Sequence, residues 1–481
     1  MTESLVLALV AGTAGVVMAH FGARALAGRI PESLSAPGLI QAGINGPGLF
    51  FTLLVTVVTA LACGVVGALT TPVSNAAGLL VVAGRAPMSA VARRATSTLV
   101  AAEMAFAVAL LIGAGLILRS FAGLLAVNPG FELDGVLTMQ IAIPANRYQA
   151  VEARSAFYDQ AFAATAAVPG VEAVGVAVVT SLTGNNWTAP FERVDQPVTA
   201  GQRPPDVGWQ AASGGYFRAM RIPLKAGRLF DERDRPGVPP VVMISEAIAK
   251  RFFAGDSAVG RSIRLGPNTT AEIVGVVGDI RRAGLTDEPW ADLYSAFEQG
   301  PGAGITLFVR TGTDPARAAG PVRAVLRGIE PQVAVFGSPT MSEVASESVR
   351  VTRLLHWLLG GFAVIALGLA AVGIYGVMSY VVRQRTREIG TRIALGAERG
   401  DIVWLVLRQG VVIAAIGTAA GLAVGLGAAR ALRSMLFGVK ATDPLVLAGA
   451  ALLLVATALV ARYVPAIRAA RVDPERTLTE Q

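Results

Sequence analysis

Apolar runs dictate what this chain can fold into. Residues 4–21, 49–70, 98–118, 354–382, 411–429 and 445–461 are each long enough, as helices, to cross the hydrocarbon core of a bilayer. Away from water such a run satisfies its backbone by coiling into a helix. Between the third and fourth runs, from 120 to 353, nothing is long and apolar enough to span, so that stretch belongs on one face of the membrane. The expected fold class is an α-helical membrane protein with six transmembrane helices plus a large α+β extracytoplasmic (periplasmic) domain of two subdomains.

Composition agrees. Hydrophobic residues make up 53% of the chain and charged residues 15%, against about 25% charged in ordinary soluble domains, and the mean hydropathy is +0.57. A formal charge of +8 would suit a nucleic-acid partner. The arginines, however, concentrate beside the apolar runs, where the positive-inside rule accounts for them, and no basic face with stacking aromatics is visible. Nucleic acid is therefore not expected as a partner.

The only cysteine, Cys63, sits in an apolar run, and His20 and His356 are the only histidines. Disulfide frameworks, zinc catalysis and Ser/His/Asp chemistry lack material. The three lysines, Lys225, Lys250 and Lys440, never follow a glycine, so no phosphate-cradling P-loop exists, and HExxH and GxSxG are absent too. No catalytic, cofactor-binding or metal residues are assigned, and the chain is not expected to be an enzyme.

Taken in order, residues 1–75 form a transmembrane hairpin. A cleaved signal peptide competes for its first run, helped by Ala25, Leu26 and Ala27, but no Lys or Arg precedes that run. Residues 76–97 read as a cytoplasmic connector, with Arg85, Arg93 and Arg94 and no acid. The third helix occupies 98–119 and carries Glu103 near its cytoplasmic end. An intramembrane carboxylate suggests a proton relay, while its nearness to the interface favours contact with water or arginines.

Within 120–353, alternation predicts strands at 136–143 and 171–179 around a helix at 150–168. Further on it predicts strands at 241–244, 271–277, 305–310 and 333–336, with a helix at 315–329. A βαβ-like start and an αβ finish flank a different middle that begins at the Gly/Asn/Pro-rich break of 183–190, so the subdomain at the ends is expected to be interrupted by a second. Phe217, Trp209 and Trp290 read as packing residues. The fourth helix is 354–382, and residues 403–481 form a last hairpin with a basic tail. Six spans put both termini in the cytoplasm.

Between the fourth and fifth runs, residues 383–402 form a short arginine-rich segment. Arg385, Arg387 and Arg392 with Glu388 alternate with Ile389, Ile393 and Leu395, giving a helix one apolar stripe able to sit in a groove. Gly396 supplies a stop, and Asp401 can cap the next helix. A positive-inside loop that only sets topology would explain the same residues. A repeat is also visible: GTAG at Gly12 and GARAL at Gly22 are echoed by GTAAG at Gly417 and GAARAL at Gly427, and TPVSNAA around Pro72 by VPAIRAA around Pro465. Chance likeness of Gly/Ala-rich helices is the competing explanation.

The segment RTREIGTRIALGAERGDI, from Arg385 to Ile402, resembles the coupling segment of permeases in the MacB/FtsX-like class of ABC transporters. LLIGAGLILRSFAGLLAVNPGFELDGVLT from Leu110, LFGVKATDPL from Leu436 and the closing PAIRAARVDPERTL extend the resemblance from about residue 98 to the end. The opening hairpin resembles the end of a first permease copy, as in duplicated permeases of this class without a fused ATPase, most of that copy being absent here.

The resemblance implies a permease that transmits the motion of a separate ABC ATPase to a periplasmic domain, exporting or extracting a substrate. Its coupling residues would be Arg385, Arg387, Glu388, Ile389, Gly390, Arg392, Leu395, Gly396 and Ala397. ATP and Mg would bind the partner ATPase, with no cofactor in this chain. A second permease copy, as homodimer or heterodimer, and a periplasmic adaptor are the further partners, and the bacterial inner membrane is the expected location. The alternative is a regulatory or scaffold membrane protein whose periplasmic domain activates or anchors a partner without transport.

Overall fold

In a computed structural model the chain divides into two compact units, one of residues 1–121 and 354–481, the other of residues 122–353. The structure describes residues 2–27, 46–70, 90–384 and 399–470, apart from positions 186, 200, 267, 268, 286, 432, 434, 435 and 437.

The first unit is helical: α1 (Thr2–Ala27), α2 (Gly46–Thr70), α3 (Ala90–Leu125), α9 (Arg350–Gln384), α10 (Arg399–Ala431) and α11 (Pro444–Ala470). Among the described residues, four stretches are long and apolar enough to cross a membrane: Ser97–Leu124, Arg350–Gly376, Ala414–Ala431 and Pro444–Ala461. The first two of the six expected spans correspond to α1 and α2, where the described apolar stretches, Ala8–Gly22 and Gly46–Val58, are shorter. Large apolar side chains face outward along these helices, including Phe106, Phe362, Val372, Ile416, Leu452 and Val460. Apolar patches of that extent need a partner other than water, and a bilayer provides one.

The second unit contains β1 (Val136–Ala142), α4 (Val151–Ala166), β2 (Val171–Ala177), β3 (Thr188–Pro190), β4 (Glu192–Arg193), β5 (Asp206–Ala212), α5 (Gly214–Met220), β6 (Leu224–Gly227), β7 (Val241–Ser245), α6 (Glu246–Phe253), β8 (Ser262–Gly266), β9 (Thr269–Val277), β10 (Asp292–Ala296), β11 (Gly304–Thr311), α7 (Pro315–Ile329), β12 (Ala334–Gly337) and α8 (Met341–Ser348). Its strands form one mixed sheet in the order β12-β1-β11-β2-β5-β10-β7-β9-β8-β4, with β3 beside β5 and β6 beside β9.

The two ends of this segment meet at one side of the sheet, as the βαβ-like start and αβ finish suggest. On β1 the alternate residues Leu137, Met139 and Ile141 are buried, and they pack with Ile305, Leu307 and Val309 of β11. Over them lie Phe157, Tyr158 and Ala161 of α4 and the stripe Ala318, Val322, Leu326 of α7, spaced four apart so that they share one helix face. The side chain of Asp314 accepts from the Ala316 N–H at 3.1 Å, and Pro315 opens α7 where a missing N–H costs nothing.

The intervening residues carry a second core, in which Val242 and Ile244 of β7, Ile273 and Val276 of β9, Ile263 of β8 and Leu293 of β10 pack with Ile248 and Phe253 of α6. The pairing between β2 and β5, which joins the two halves of the sheet, is the single antiparallel pair Ala177 and Ala212. Beside it α5 lies backbone to backbone on β2: a Cβ on Gly214 or Gly215 would strike the carbonyl of Phe230 or Val174, and one on Gly175 would strike the Tyr216 backbone. Ser213 caps α5 by accepting from Tyr216 N–H, and also accepts from Val176 N–H at 2.9 Å.

A buried arginine organises the middle of the sheet. Arg282, in the loop after β9, is 0% exposed. Its guanidinium donates to the carbonyls of Trp209 (2.8 Å) and Trp187 (2.9 Å), and its Nε lies 3.2 Å from the Asp292 carboxylate. Asp292 opens β10 directly opposite Gly208 of β5, where a Cβ would come within 2.6 Å of the Arg282 Nη2. Burial pushes the Asp292 carboxyl up and the Arg282 guanidinium opposes that rise.

Arg282→Met is expected to destabilise the unit by about 3–5 kcal/mol at pH 8, because it strands a buried carboxylate. The folded Asp292 holds its proton to higher pH than the unfolded chain does, so the loss shrinks at pH 5.5, where the orphaned carboxyl takes a proton. Thermal unfolding followed by tryptophan fluorescence at the two pH values checks this; an equal loss at both would contradict it.

Candidate coupling site in the membrane unit

All nine coupling residues expected from the sequence, Arg385, Arg387, Glu388, Ile389, Gly390, Arg392, Leu395, Gly396 and Ala397, lie outside the described residues. The helices on either side of them are described: α9 runs to Gln384 and α10 starts at Arg399. The site is therefore built from what those two helices touch.

Both pack on α3. Its buried positions Val100, Met104, Ala107, Val108, Ile112 and Leu116 recur at three- and four-residue spacing, which places them along one stripe. Against that stripe α10 presents Gly417, Gly421 and Gly425. A Cβ at these positions would fall 2.8 Å from the Met104 Cβ, 2.6 Å from the Val108 Cβ and 2.6 Å from the Ile112 Cδ1. No side chain fits in such a space, so the two backbones approach as closely as glycine permits. Helices in lipid gain little from hiding apolar surface, and close packing of this kind is a main source of their association.

On α9 the corresponding position is Gly373, where a Cβ would run into the Glu103 carboxylate of α3. Glu103 is half-buried in this contact, so the carboxylate that stood out in the sequence is seated in the α3–α9 packing. Gly115 of α3 receives Val446 of α11 in the same way, a Cβ there lying 2.8 Å from its Cγ1. Near this end of α3, Arg119 forms an ion pair with Asp443. The same carboxylate caps α11 by accepting from the N–H groups of Leu445 (3.0 Å) and Val446 (3.3 Å). His356 of α9 stacks on Phe121, with ring centroids 6.0 Å apart.

The result is a membrane unit in which α3 holds α9, α10 and α11. The chain leaves it after residue 121 and returns at 354, so the α/β unit is inserted between α3 and α9. Such an arrangement defines a polytopic membrane protein with a large extramembrane insertion, and comparison with known proteins makes the class specific.

Residues 52–325, more than half of the chain, match the MacB-like periplasmic core domain, and residues 360–474 match the FtsX-like permease C-terminal domain. The chain belongs to the MacB/FtsX-like family of ABC transporter permeases. It is 28% identical over 284 residues to the uncharacterized ABC transporter permease YknZ of Bacillus subtilis (strain 168), covering 57% of this chain and 70% of that protein. It is also 28% identical over 312 residues to the pyoverdine export ATP-binding/permease protein PvdT of Pseudomonas savastanoi pv. phaseolicola, covering 61% of this chain. It spans just under half, 47%, of PvdT's length. The crystal structure of the periplasmic region of MacB from Actinobacillus actinomycetemcomitans aligns with 47% of this chain and 97% of its own, at 14% identity and a TM-score of 0.31.

The Gly and Ala content of the fourth run points to close helix packing, and Gly373 of α9 fits it. In the fifth run Gly417 and Gly421 stand out in the sequence only through the GTAAG repeat, although the four-residue spacing of Gly417, Gly421 and Gly425 is also visible there. Gly421→Val is expected to cost about 1–3 kcal/mol through overpacking against Val108. Gly427→Val, whose Cβ meets nothing within 4 Å, is expected to cost little. Thermal denaturation of the two detergent-purified variants compares them directly, and equal losses would contradict the close-packing account.

Proposed function

We propose that this chain is a permease subunit that carries the motion of a separate ABC ATPase to its α/β unit. The observation that supports this most directly is the shared contact of α9 and α10 on α3. The segment 385–398 joins α9 to α10, and α3 and α9 are the two helices between which the α/β unit is inserted. A force applied to the segment would therefore act on helices continuous with the chain of that unit.

In this reading Arg387 and Arg392 bind acidic groups of the ATPase, and Ile389 and Leu395 fill a groove on it. ATP and Mg belong to that partner. Gly417, Gly421 and Gly425 give α10 a face without side chains, along which small shifts against α3 meet few steric barriers, whereas Arg119 and Asp443 pin α3 to α11. Two discrete packings of these helices, biased by nucleotide state, would suffice to move the α/β unit. A second permease chain would provide the other docking site on a two-fold ATPase. The membrane is proposed to be the bacterial inner membrane, with segment 385–398 on its cytoplasmic side and the α/β unit opposite, exporting or extracting a substrate there.

Replacing Glu388 and Ile389 together by alanine is expected to abolish co-purification with the ATPase while membrane insertion stays intact. Wild-type levels of co-purified ATPase would sink the coupling role. Substrate movement in reconstituted vesicles containing both subunits distinguishes transport from activation of a periplasmic partner.

A further inference from the structure

The membrane unit carries a groove of about 540 Å³ along α3, α9 and α11 that the coupling reading does not use. Its volume is within the range of small-molecule sites, roughly 300–1,000 Å³. Small residues make the room: Ala114 and Gly115 of α3, Gly360 and Ala363 of α9, and Gly449 and Ala450 of α11. Leu111, Leu367 and Leu453 continue the lining along the same three helices. Between Leu111 and Arg119 α3 rises about 12 Å, so the groove follows the helices for about two turns.

Of the lining residues only Arg119 and His356 have polar side chains, and both lie at the end where α11 begins. The chain leaves the membrane unit after residue 121 and returns at 354, so this end of the groove is where the helices reach the membrane surface. Trp357, 71% exposed beside His356, suits that level, since tryptophan favours the boundary between lipid and water. His356 stacks on Phe121 and its Nδ1 is enclosed, so the imidazole serves the groove as a wall.

The charge offered at this mouth is positive. Arg119 is paired with Asp443, but the two are unequally available: the Asp443 side chain is 12% exposed and the Arg119 side chain 44%. Asp443 already accepts from Arg119 and from the N–H groups of Leu445 and Val446. Arg119 gives the pair only Nη1, which leaves most of its five N–H donors for an anion. Below it the groove is apolar, and in a bilayer an unfilled space forfeits the dispersion contacts of its walls. An acyl chain fills such a space, and the guanidinium then selects the headgroup. A zwitterionic headgroup brings its own cation to its phosphate, whereas an anionic one leaves the phosphate to the arginine.

We propose that this groove binds one anionic phospholipid, its phosphate accepting from Arg119 and one acyl chain lying between α3, α9 and α11. A lipid seated there touches all three helices at once and so stabilises their packing. The site is complete within the membrane unit and needs neither nucleotide nor ATPase, so it stands or falls separately from the coupling role.

Native mass spectrometry of the full chain in mild detergent, titrated with dioleoyl phosphatidylglycerol or dioleoyl phosphatidylcholine, separates headgroup from chain. The phosphatidylglycerol is expected to bind at least about tenfold more tightly, as one charge-assisted hydrogen bond implies. Arg119→Gln is expected to abolish that preference; Asp443 keeps the two N–H groups it caps, so the start of α11 survives the change. Gly360→Leu tests the chain without altering charge. A Cβ at Gly360 meets nothing within 4 Å, so the leucine enters the groove without straining a helix contact. It is expected to weaken both lipids at least about tenfold, because several methylenes lose their place. Equal binding of the two lipids to the unaltered chain, a preference that survives Arg119→Gln, or undiminished binding to Gly360→Leu would each overturn the proposal. So would a chain that retains no lipid and is a dimer that Gly360→Leu dissociates, since a second copy would then cover the groove.

Discussion

The α/β unit depends on one buried guanidinium. Arg282 reaches the carbonyls preceding β3 and within β5 and the carboxylate at the start of β10. Its own carbonyl accepts from Leu182 N–H at 2.6 Å, and the next carbonyl, of Ala283, accepts from Gly184 N–H at 2.9 Å. A single loop residue thus ties together segments from both sides of the sheet's narrow join. The geometry explains neighbouring sequence choices: Gly208 leaves room for the ion pair, and Trp187 and Trp209, stacked with ring centroids 5.9 Å apart, flank the carbonyls it binds. A buried pair of this kind contributes little net stability compared with apolar packing, but breaking it by removing one partner is expensive. Losing either partner would leave the other charge buried in the middle of the sheet.

The membrane unit obeys a different rule. In lipid there is no water to drive helices together, so α3 is held by approach distance: three glycines of α10, one of α9 and one of its own. Arg119 and Asp443 add the only ion pair among the described residues of this unit, at the end where α11 begins. The two units therefore rely on opposite devices, a buried charge network in one and the absence of side chains in the other. Each suits its surroundings, since desolvated polar contacts give directionality in a sheet and glycine faces let helices approach where no hydrophobic gain is available.

Much of this was legible in advance because period and length are strong signals. The strand expected at 136–143 is β1 at Val136–Ala142, the helix at 315–329 is α7, and the last four apolar runs lie in α3, α9, α10 and α11. The middle of the α/β unit was harder. Strands β3, β4 and β6 are two to four residues long, too short for alternation to register, and α5 owes its place to the Gly214–Gly215 contact with β2. Arg282 gave no signal at all, sitting beside Arg281 in a loop where both look solvated. The sequence suits Trp209 and Phe217 to packing, and Phe217 is 1% exposed in an aromatic cluster with Tyr216 and Tyr294. The coupling residues were legible only through resemblance, since their arginines and isoleucines also suit a plain positive-inside loop.

Asp292 and Glu298 show that carboxyls pushed up by burial can stand in quite different surroundings. Burial raises both Asp292 and Glu298, so their titration looks alike. What distinguishes them is the neighbour each has. Asp292 has a guanidinium at 3.2 Å that is itself fully buried and already bonded to two carbonyls. Glu298 accepts from the Gly214 N–H at 3.3 Å, and Arg218, the arginine that acts on its charge, forms no ion pair with it. A carboxylate whose counter-charge is built into the fold keeps a partner against its own burial. One held by a backbone N–H, as Glu298 is, has burial working against its charge with no guanidinium in contact to offset it.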